Sequence, residues 1–309
     1  MRILRDHQHA LPVNRGASAA IGNFDGVHLG HQYVIDRARN DTAPLGVLTF
    51  EPHPRQVFAP DAPPFRLMNS EARAHRLEKL GVDILYELPF NAALAGLSAE
   101  AFAREVLAEG LGLSRVIVGE DFCFGRGRSG NTEMLTEFGR RFGFAVDIVP
   151  ILHGDTGAIS STNIRKALSD GRPRDAAAML GHWHRIEGPV LHGEKRGRQL
   201  GYPTANMALD GLHLPRLGVY AVLVDVLDGD HAGQYHGVAS LGVRPMFGGK
   251  APNLETFLFD FSGDLYGCDL SVALVDFLRP EMNFPAVEAL IAQMDSDSDT
   301  ARATLKALK

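Results

Sequence analysis

The chain has 309 residues, of which 45% are hydrophobic and 22% charged, with a formal net charge of −6. This length exceeds what one hydrophobic core usually organises, so two domains are expected, and the composition is too apolar for general disorder. The acidic balance argues against a duplex nucleic-acid binder, which would present a basic face.

Met1 to Gln8 contain no signal-peptide core, and no run of about 18 apolar residues marks a membrane span. A cytoplasmic protein is expected, with neither membrane nor nucleic acid as partner. Cys123 and Cys268 stand far apart, without histidines at metal-binding spacing, which predicts two free thiols.

Ala19 to Gly22 reads as a first strand. It runs into Gly22-Asn23-Phe24-Asp25-Gly26-Val27-His28-Leu29-Gly30-His31, where glycines allow a backbone to approach a ligand closely. His28 and His31 open a helix that continues over Gln32 to Asn40, so both imidazoles share one face beside orphan N–H groups. Such a face attracts a polyphosphate. Two surface histidines near a turn are the plain alternative, but Asp25, Gly26, Gly30 and the preceding strand favour a phosphate site.

Further strands are predicted over Leu45 to Phe50, Ile84 to Leu88, Val116 to Val118 and Ala145 to Val149. Helices alternate with them over Ser70 to Leu80, Ser98 to Leu107 and Thr132 to Phe142, with Ser70 and Ser98 as N-caps. Alternation of this kind predicts a parallel, doubly wound sheet whose ligand site lies at the carboxyl ends of its strands. Gly125-Arg126-Gly127-Arg128-Ser129-Gly130 fits GxGxxG, yet Gly119 to Phe124 separate it from the strand, so an ordinary loop is expected. In Ile159-Ser160-Ser161-Thr162-Asn163-Ile164-Arg165, Ser160, Ser161 and Thr162 precede a helix with Arg165 in its first turn. That is more than a cap needs and suits an anion.

Beyond Trp183 the texture changes. Gly218 to Leu227, Gln234 to Leu241, Asn253 to Phe261 and Asp269 to Leu278 are β-rich runs, predicting a small antiparallel barrel. One amphipathic helix closes it, with Phe284, Val287, Leu290, Ile291 and Met294 on one face. Asp295 to Asp299 resemble a calcium loop, but Thr300 and Lys306 replace its glycine and closing glutamate, so a cap between helices is expected. Period two places Glu255 on one face with Phe257, Phe259 and Phe261, where a carboxylate is costly unless paired or used.

The blocks GNFDGVHLGHQ, TFEPHP, VGEDFCFG, ISSTNIR, HGEKRGRQLGYPTAN, GVYAV and LETFLFDFSGDLYG occur in this order. Together they resemble the prokaryotic bifunctional riboflavin kinase and FAD synthetase, from about Ile21 to the C-terminal helix. The resemblance implies an α/β fold: a doubly wound, Rossmann-like nucleotidyltransferase domain over residues 1–183, then a riboflavin kinase β-barrel with a C-terminal helix over residues 184–309. The implied activity converts riboflavin to FMN and FMN to FAD, with ATP as co-substrate, Mg²⁺ as cofactor and the flavins as substrates and products.

The resemblance also implies roles. His28 and His31 act at the ATP phosphates of the adenylyltransferase, with Gly22, Asn23, Phe24, Asp25, Gly26, Gly30, Asp121, Ser160, Ser161, Thr162 and Arg165 around the nucleotide. In the kinase, Gly193, Gly197, Arg198 and Gly201 hold ATP without a P-loop, Thr204 and Asn206 hold Mg²⁺, and Glu255 is the base. Cys123, Asn131 and Met246 depart from the family pattern of Arg, Asp and Thr, with Met246 in the loop after Pro245. A monomer or weak homo-oligomer acting on small molecules is expected. A flavin- and nucleotide-binding regulatory protein remains the alternative.

Overall fold

The five apolar runs of the first half, with a short N-terminal strand that the sequence reading missed, form a parallel sheet: β1 (Arg2–Leu4), β2 (Ser18–Ile21), β3 (Leu45–Glu51), β4 (Ile84–Pro89), β5 (Arg115–Gly119) and β6 (Ala145–Val149). The computed structural model describes residues 1–8, 11–154, 157–192, 201–246 and 249–308. Its chain divides into two units, Met1–Pro63 with Arg73–Ser160, and Pro64–Ala72 with Ser161–Lys309.

In the first unit the strands lie in the order β1-β4-β3-β2-β5-β6, every pair parallel. The connections run through α1 (Leu29–Ala38), α2 (Pro54–Phe58), α3 (Ser70–Lys79), α4 (Ala92–Gly96), α5 (Ala99–Ala101) with a π-helical continuation over Phe102–Gly110, and α6 (Thr132–Phe142). Ala19, Ala20 and Ile21 of β2 are all buried, which is why this strand carries no polar alternation. Arg73 is buried too, and its guanidinium is paired with Glu51 at 2.8 Å and Glu87 at 2.9 Å. Two carboxylates from neighbouring strand ends thus make its burial tolerable.

Ser98 caps α5 as predicted, accepting the Ala101 N–H at 3.1 Å. Ser70 does not cap α3. The helix starts at Ser70 itself, and the cap is Asn69, whose Oδ1 accepts the Ala72 N–H at 2.8 Å. Helix α1 starts at Leu29, before Gln32, because His28 is its cap. A two-residue hairpin, β7 (His153–Gly154) and β8 (Gly157–Ala158), follows β6.

The second unit contains α7 (Ser161–Ser169), α8 (Pro173–Leu180), β9 (His184–Pro189), β10 (Ala205–Ala208), β11 (Gly218–Val226), β12 (Gly233–Met246), β13 (Gly249–Leu258), β14 (Asp269–Arg279) and a final helix, α9 (Val287–Lys306). The strands form a six-stranded antiparallel sheet in the order β10-β13-β12-β11-β14-β9. It is nearly closed: beyond β9, the Leu191 N–H reaches the Asn206 carbonyl of β10 at 2.8 Å. Tyr220, Val222, Val224, Leu241, Leu254 and Val272 fill the interior, while Val219, Ala221, Val238 and Val275 face outward to Ala301 and Leu305 of α9. Leu67 joins Ile164, Ala167, Leu168, Ala176 and Leu180 in a separate cluster built on α7 and α8.

Four expectations change here. The buried face of α9 is Asp297, Ser298, Ala301 and Leu305, whereas Val287 is 53% exposed and Leu290, Ile291 and Met294 are only half-buried. A polar lock sets this placement, since Arg279 at the end of β14 grips Asp297 through Nε at 2.9 Å and Nη2 at 2.7 Å. Asp295 to Asp299 therefore lie inside one continuous helix and cap nothing. Strand β12 runs through Met246, so that residue ends a strand and is not in a loop. Phe261 leaves the face of Phe257 and Phe259 for the interior cluster, because β13 ends at Leu258 and Asp260 takes a φ of 56°.

His184, at the start of β9, is also buried. Desolvation, then the neighbouring His182 and His213, pushes its imidazole down to about 3, so the ring is neutral.

Candidate functional site

Strand β2 lies between β3 and β5, and the chain leaves β2 towards β3 but leaves β5 towards β6. The carboxyl ends of β2 and β5 therefore flank the switch point, where doubly wound sheets place their ligand crevice. Gly22 to His31 follow β2, and Asp121 follows β5.

The turn after β2 is tightly held. Gly22 donates to the Leu48 carbonyl at 3.1 Å, Thr49 Oγ1 donates to the Asn23 carbonyl at 3.1 Å, and Gln32 Nε2 donates to the Val27 carbonyl at 2.8 Å. Phe24 and Val27 both adopt positive φ, 50° and 42°, although only Gly26, at 87°, does so without a Cβ penalty. Backbone strain of this kind persists where surrounding contacts over-determine it, and it concentrates at binding sites. Phe24, Asp25, Val27 and His28 are all buried.

His28 caps α1: its Nδ1 accepts the His31 N–H at 3.3 Å. An accepting Nδ1 on a neutral ring puts the proton on Nε2. The two imidazoles stack, centroids 3.6 Å apart and planes 16° from parallel. Gly30 makes room for this, since a Cβ there would meet His28 Cε1 and Nδ1 at 3.2 Å. Burial, then His28, lowers the pKa of His31 well below the usual imidazole range. Its Nδ1 is buried and has no hydrogen-bond partner among the described residues. A stacked imidazole pair at a helix N-terminus, with one ring nitrogen unsatisfied among the described residues, is fitted to hydrogen-bond an incoming anion.

The Ile159 carbonyl lies 3.7 Å from where a Gly30 Cβ would stand, so the chain reaches Ser160 beside the histidine turn. Ser161 and Thr162 are the first residues of α7, which therefore starts two positions earlier than the sequence suggests and leaves only Ser160 ahead of it. Arg165 falls beyond the first turn. Its Nε donates to the Phe65 carbonyl at 2.6 Å and its guanidinium lies over the Phe65 ring at 5.4 Å.

Asp121 is exposed, with Oδ1 3.0 Å from the Cβ position of Gly119. Exposed Cys123 reaches back to the Asp121 carbonyl at 3.6 Å. Asn131 accepts the Met134 N–H at 2.9 Å and caps α6, work an Asp would do equally well. The GxGxxG stretch is a closed loop, as expected, its ends paired through Phe124 and Gly130. A Cβ on Gly125 would strike the Ala99 backbone N at 2.6 Å, so this glycine serves close packing.

In the barrel, Gly193, Gly197 and Arg198 lie outside the described residues. Gly201 takes a φ of 84°. Tyr202 packs against Phe257 at 4.9 Å and donates from its hydroxyl to Asp295 of α9. The register pairs Asn206 of β10 with Glu255 of β13. Asn253, which the motifs did not single out, joins them: its Nδ2 donates to Asn206 Oδ1 at 3.0 Å and to Glu255 Oε1 at 3.2 Å. Asn206 Nδ2 in turn faces the Thr204 carbonyl at 3.4 Å. The signal was present, since Asn253 stands two residues before Glu255 on one strand and so shares its face. No group of three His, Cys, Asp or Glu side chains fit for a metal occurs among the described residues. None of their helices is long and apolar enough to cross a membrane.

A nucleotidyltransferase-like parallel sheet followed by a riboflavin-kinase-type barrel is the class these features define. Residues 11–163 match the family model described as FAD synthetase, and residues 180–305 the one described as riboflavin kinase. The chain is 41% identical to a bifunctional riboflavin kinase/FMN adenylyltransferase of Pseudomonas fluorescens, covering 98% of this chain and 97% of that one. The Haemophilus influenzae protein of the same description is 39% identical, with 98% and 99% covered. A crystal structure of a macrolide-efflux protein from Streptococcus pneumoniae superposes with a TM-score of 0.81 at 32% identity, covering 97% of this chain and 98% of that one. The chain belongs to the bifunctional riboflavin kinase/FMN adenylyltransferase family.

Proposed function

We propose that the chain transfers the γ-phosphoryl group of ATP to riboflavin, giving FMN and ADP, and then joins FMN to the AMP moiety of a second ATP, giving FAD and pyrophosphate. The chemistry divides at residues 1–183 for adenylyl transfer and 184–309 for the kinase.

In the kinase, Glu255 takes the proton of the ribityl 5′-hydroxyl as that oxygen attacks the γ-phosphorus. Gly193, Gly197, Arg198 and Gly201 hold the ATP phosphates. Thr204 and Asn206 suit Mg²⁺ because both offer hard oxygens, and among the described residues Asn206 Oδ1 accepts one hydrogen bond, from Asn253, of the two its carbonyl can take. Bound there, Mg²⁺ would neutralise phosphate charge.

In the adenylyltransferase, a phosphate oxygen of FMN attacks the α-phosphorus of ATP and pyrophosphate leaves. His28 and His31 donate hydrogen bonds to the phosphate oxygens that gain charge. Gly22, Asn23, Phe24, Asp25, Gly26, Gly30 and Asp121 shape the crevice, and Ser160, Ser161, Thr162 and Arg165 bind phosphate. No covalent enzyme intermediate is needed, so positioning and charge stabilisation supply the catalysis. The reading takes the protein as cytoplasmic, where ATP is at hand, and as a monomer or weak homo-oligomer acting on small molecules, with neither nucleic acid nor membrane as partner.

The observation that carries the reading is the stacked imidazole pair at the N-terminus of α1, beside the sheet's switch point. Incubation with riboflavin and Mg·ATP, followed by chromatography of the flavins, tests it. FMN should appear first and FAD after it; riboflavin left unchanged would refute the reading.

A further inference from the structure

We propose that Asn253 is a positioning residue of the kinase site, an inference that rests on reading Glu255 as the base. Asn253 and Glu255 are two apart on β13 and project from the outer face, while Leu254 between them is buried in the barrel interior. A side-chain amide nitrogen carries two protons and accepts none. Here those protons go to Glu255 Oε1 at 3.2 Å and Asn206 Oδ1 at 3.0 Å. One donor group therefore fixes the direction of the carboxylate and of the neighbouring amide oxygen at once.

The register makes this possible. Asn206 stands opposite Glu255, and Ala208 opposite Asn253, so Asn253 reaches Asn206 diagonally across the strand pair. Asn206 also bonds the Thr204 carbonyl at 3.4 Å. Thr204, Asn206 and Glu255 are thus joined in one hydrogen-bonded chain with Asn253 at its centre. The backbone ladder between β10 and β13 does not need the Asn253 side chain, which belongs to neither apolar cluster of the barrel. Its loss should leave the fold intact and free the two groups it orients.

The test compares full-length Asn253→Leu, Asn253→Gln, Glu255→Gln and the Asn253→Leu/Glu255→Gln double variant. Leu has a similar volume but no donor, so kcat for FMN formation should fall by about tenfold or more while KM for riboflavin stays within about twofold, as expected when a reacting group is misplaced. Gln keeps both protons on a longer stem and should recover part of the loss. At saturating Mg·ATP, Asn253→Leu should cost much less in the Glu255→Gln background than in the parent, because part of the role of Asn253 runs through that carboxylate. By calorimetry, Mg·ADP should bind Asn253→Leu several-fold more weakly than the parent. Conversion of supplied FMN to FAD should be unchanged in every variant, and parent-like fluorescence of Trp183, which packs in the barrel unit, shows that the barrel is folded. If Asn253→Leu keeps kcat within about twofold of the parent while Glu255→Gln is inactive, the positioning role is wrong and the base survives. If Glu255→Gln itself still makes FMN at the parent rate, the base reading falls, and the role of Asn253 falls with it.

Discussion

In the parallel-sheet unit the candidate residues run almost without interruption from Gly22 to His31, because a strand end, a strained turn and a helix N-terminus follow one another along the chain. In the barrel unit Asn206 and Asn253, 47 positions apart, meet only because two antiparallel strands share a register. One site is built by local conformation, the other by pairing. A local site should fail when a single turn is disturbed. A register-built site should fail when one side-chain hydrogen bond is removed and the strands stay paired.

Each unit also holds a neutral imidazole. His31 is neutral at the site itself, with a buried Nδ1 that lacks a partner among the described residues. His184 is neutral in the scaffold of the barrel unit. Burial is the main cause in both cases, so position alone separates the ring in the candidate site from the one in the scaffold.

The sharpest way to disturb the local site is Gly30→Ala. Ala suits a helix better than Gly by about 1 kcal/mol, so the melting temperature should hold or rise. Its methyl group would stand 3.2 Å from the His28 ring, which must then shift by a few tenths of an ångström against His31. FAD formation from FMN should fall by up to about a hundredfold, with FMN formation unchanged. Parent-like FAD formation would show that the stacked geometry is not used.

A smaller effect separates the two imidazoles. The folded-state pKa of His184, about 3, lies below the ordinary 6.5, so the unfolded chain takes up the proton first. Its contribution to stability is complete above about pH 6.5 and is lost as pH falls from there towards 3, by about 1.4 kcal/mol per pH unit. Trp183 is the only tryptophan and packs in the barrel unit, so its fluorescence follows that unit in urea. His184→Leu should lose stability on acidification less steeply than the parent. Equal slopes would mean that His184 is not the group responsible.

Much of this organisation is visible in the sequence. Continuous apolar strands with helices between them predict the sheet, and the turn from Gly22 to His31 carries its own signature. What is lost is long-range. Nothing local says that Asp297 would bury itself against Arg279, displacing the apolar stripe of Val287, Leu290 and Ile291 from the packed face. Glu255 is recognisable from strand alternation, but its link to Asn206 depends on register, which no short segment encodes. The cap of α3 moves by one residue because Asn and Ser can both do that work and only geometry chooses between them.

The most direct measurement crosses two full-length variants, Glu255→Gln and His28→Ala with His31→Ala. Each is given riboflavin, and separately FMN, with Mg·ATP, and the flavins are separated. The expected result is that Glu255→Gln still makes FAD from FMN but loses about 10²- to 10⁴-fold in FMN formation. The histidine variant should do the reverse, and a mixture of the two should make FAD from riboflavin. A folded variant that loses both reactions, or a mixture that makes no FAD, would contradict two separately built sites.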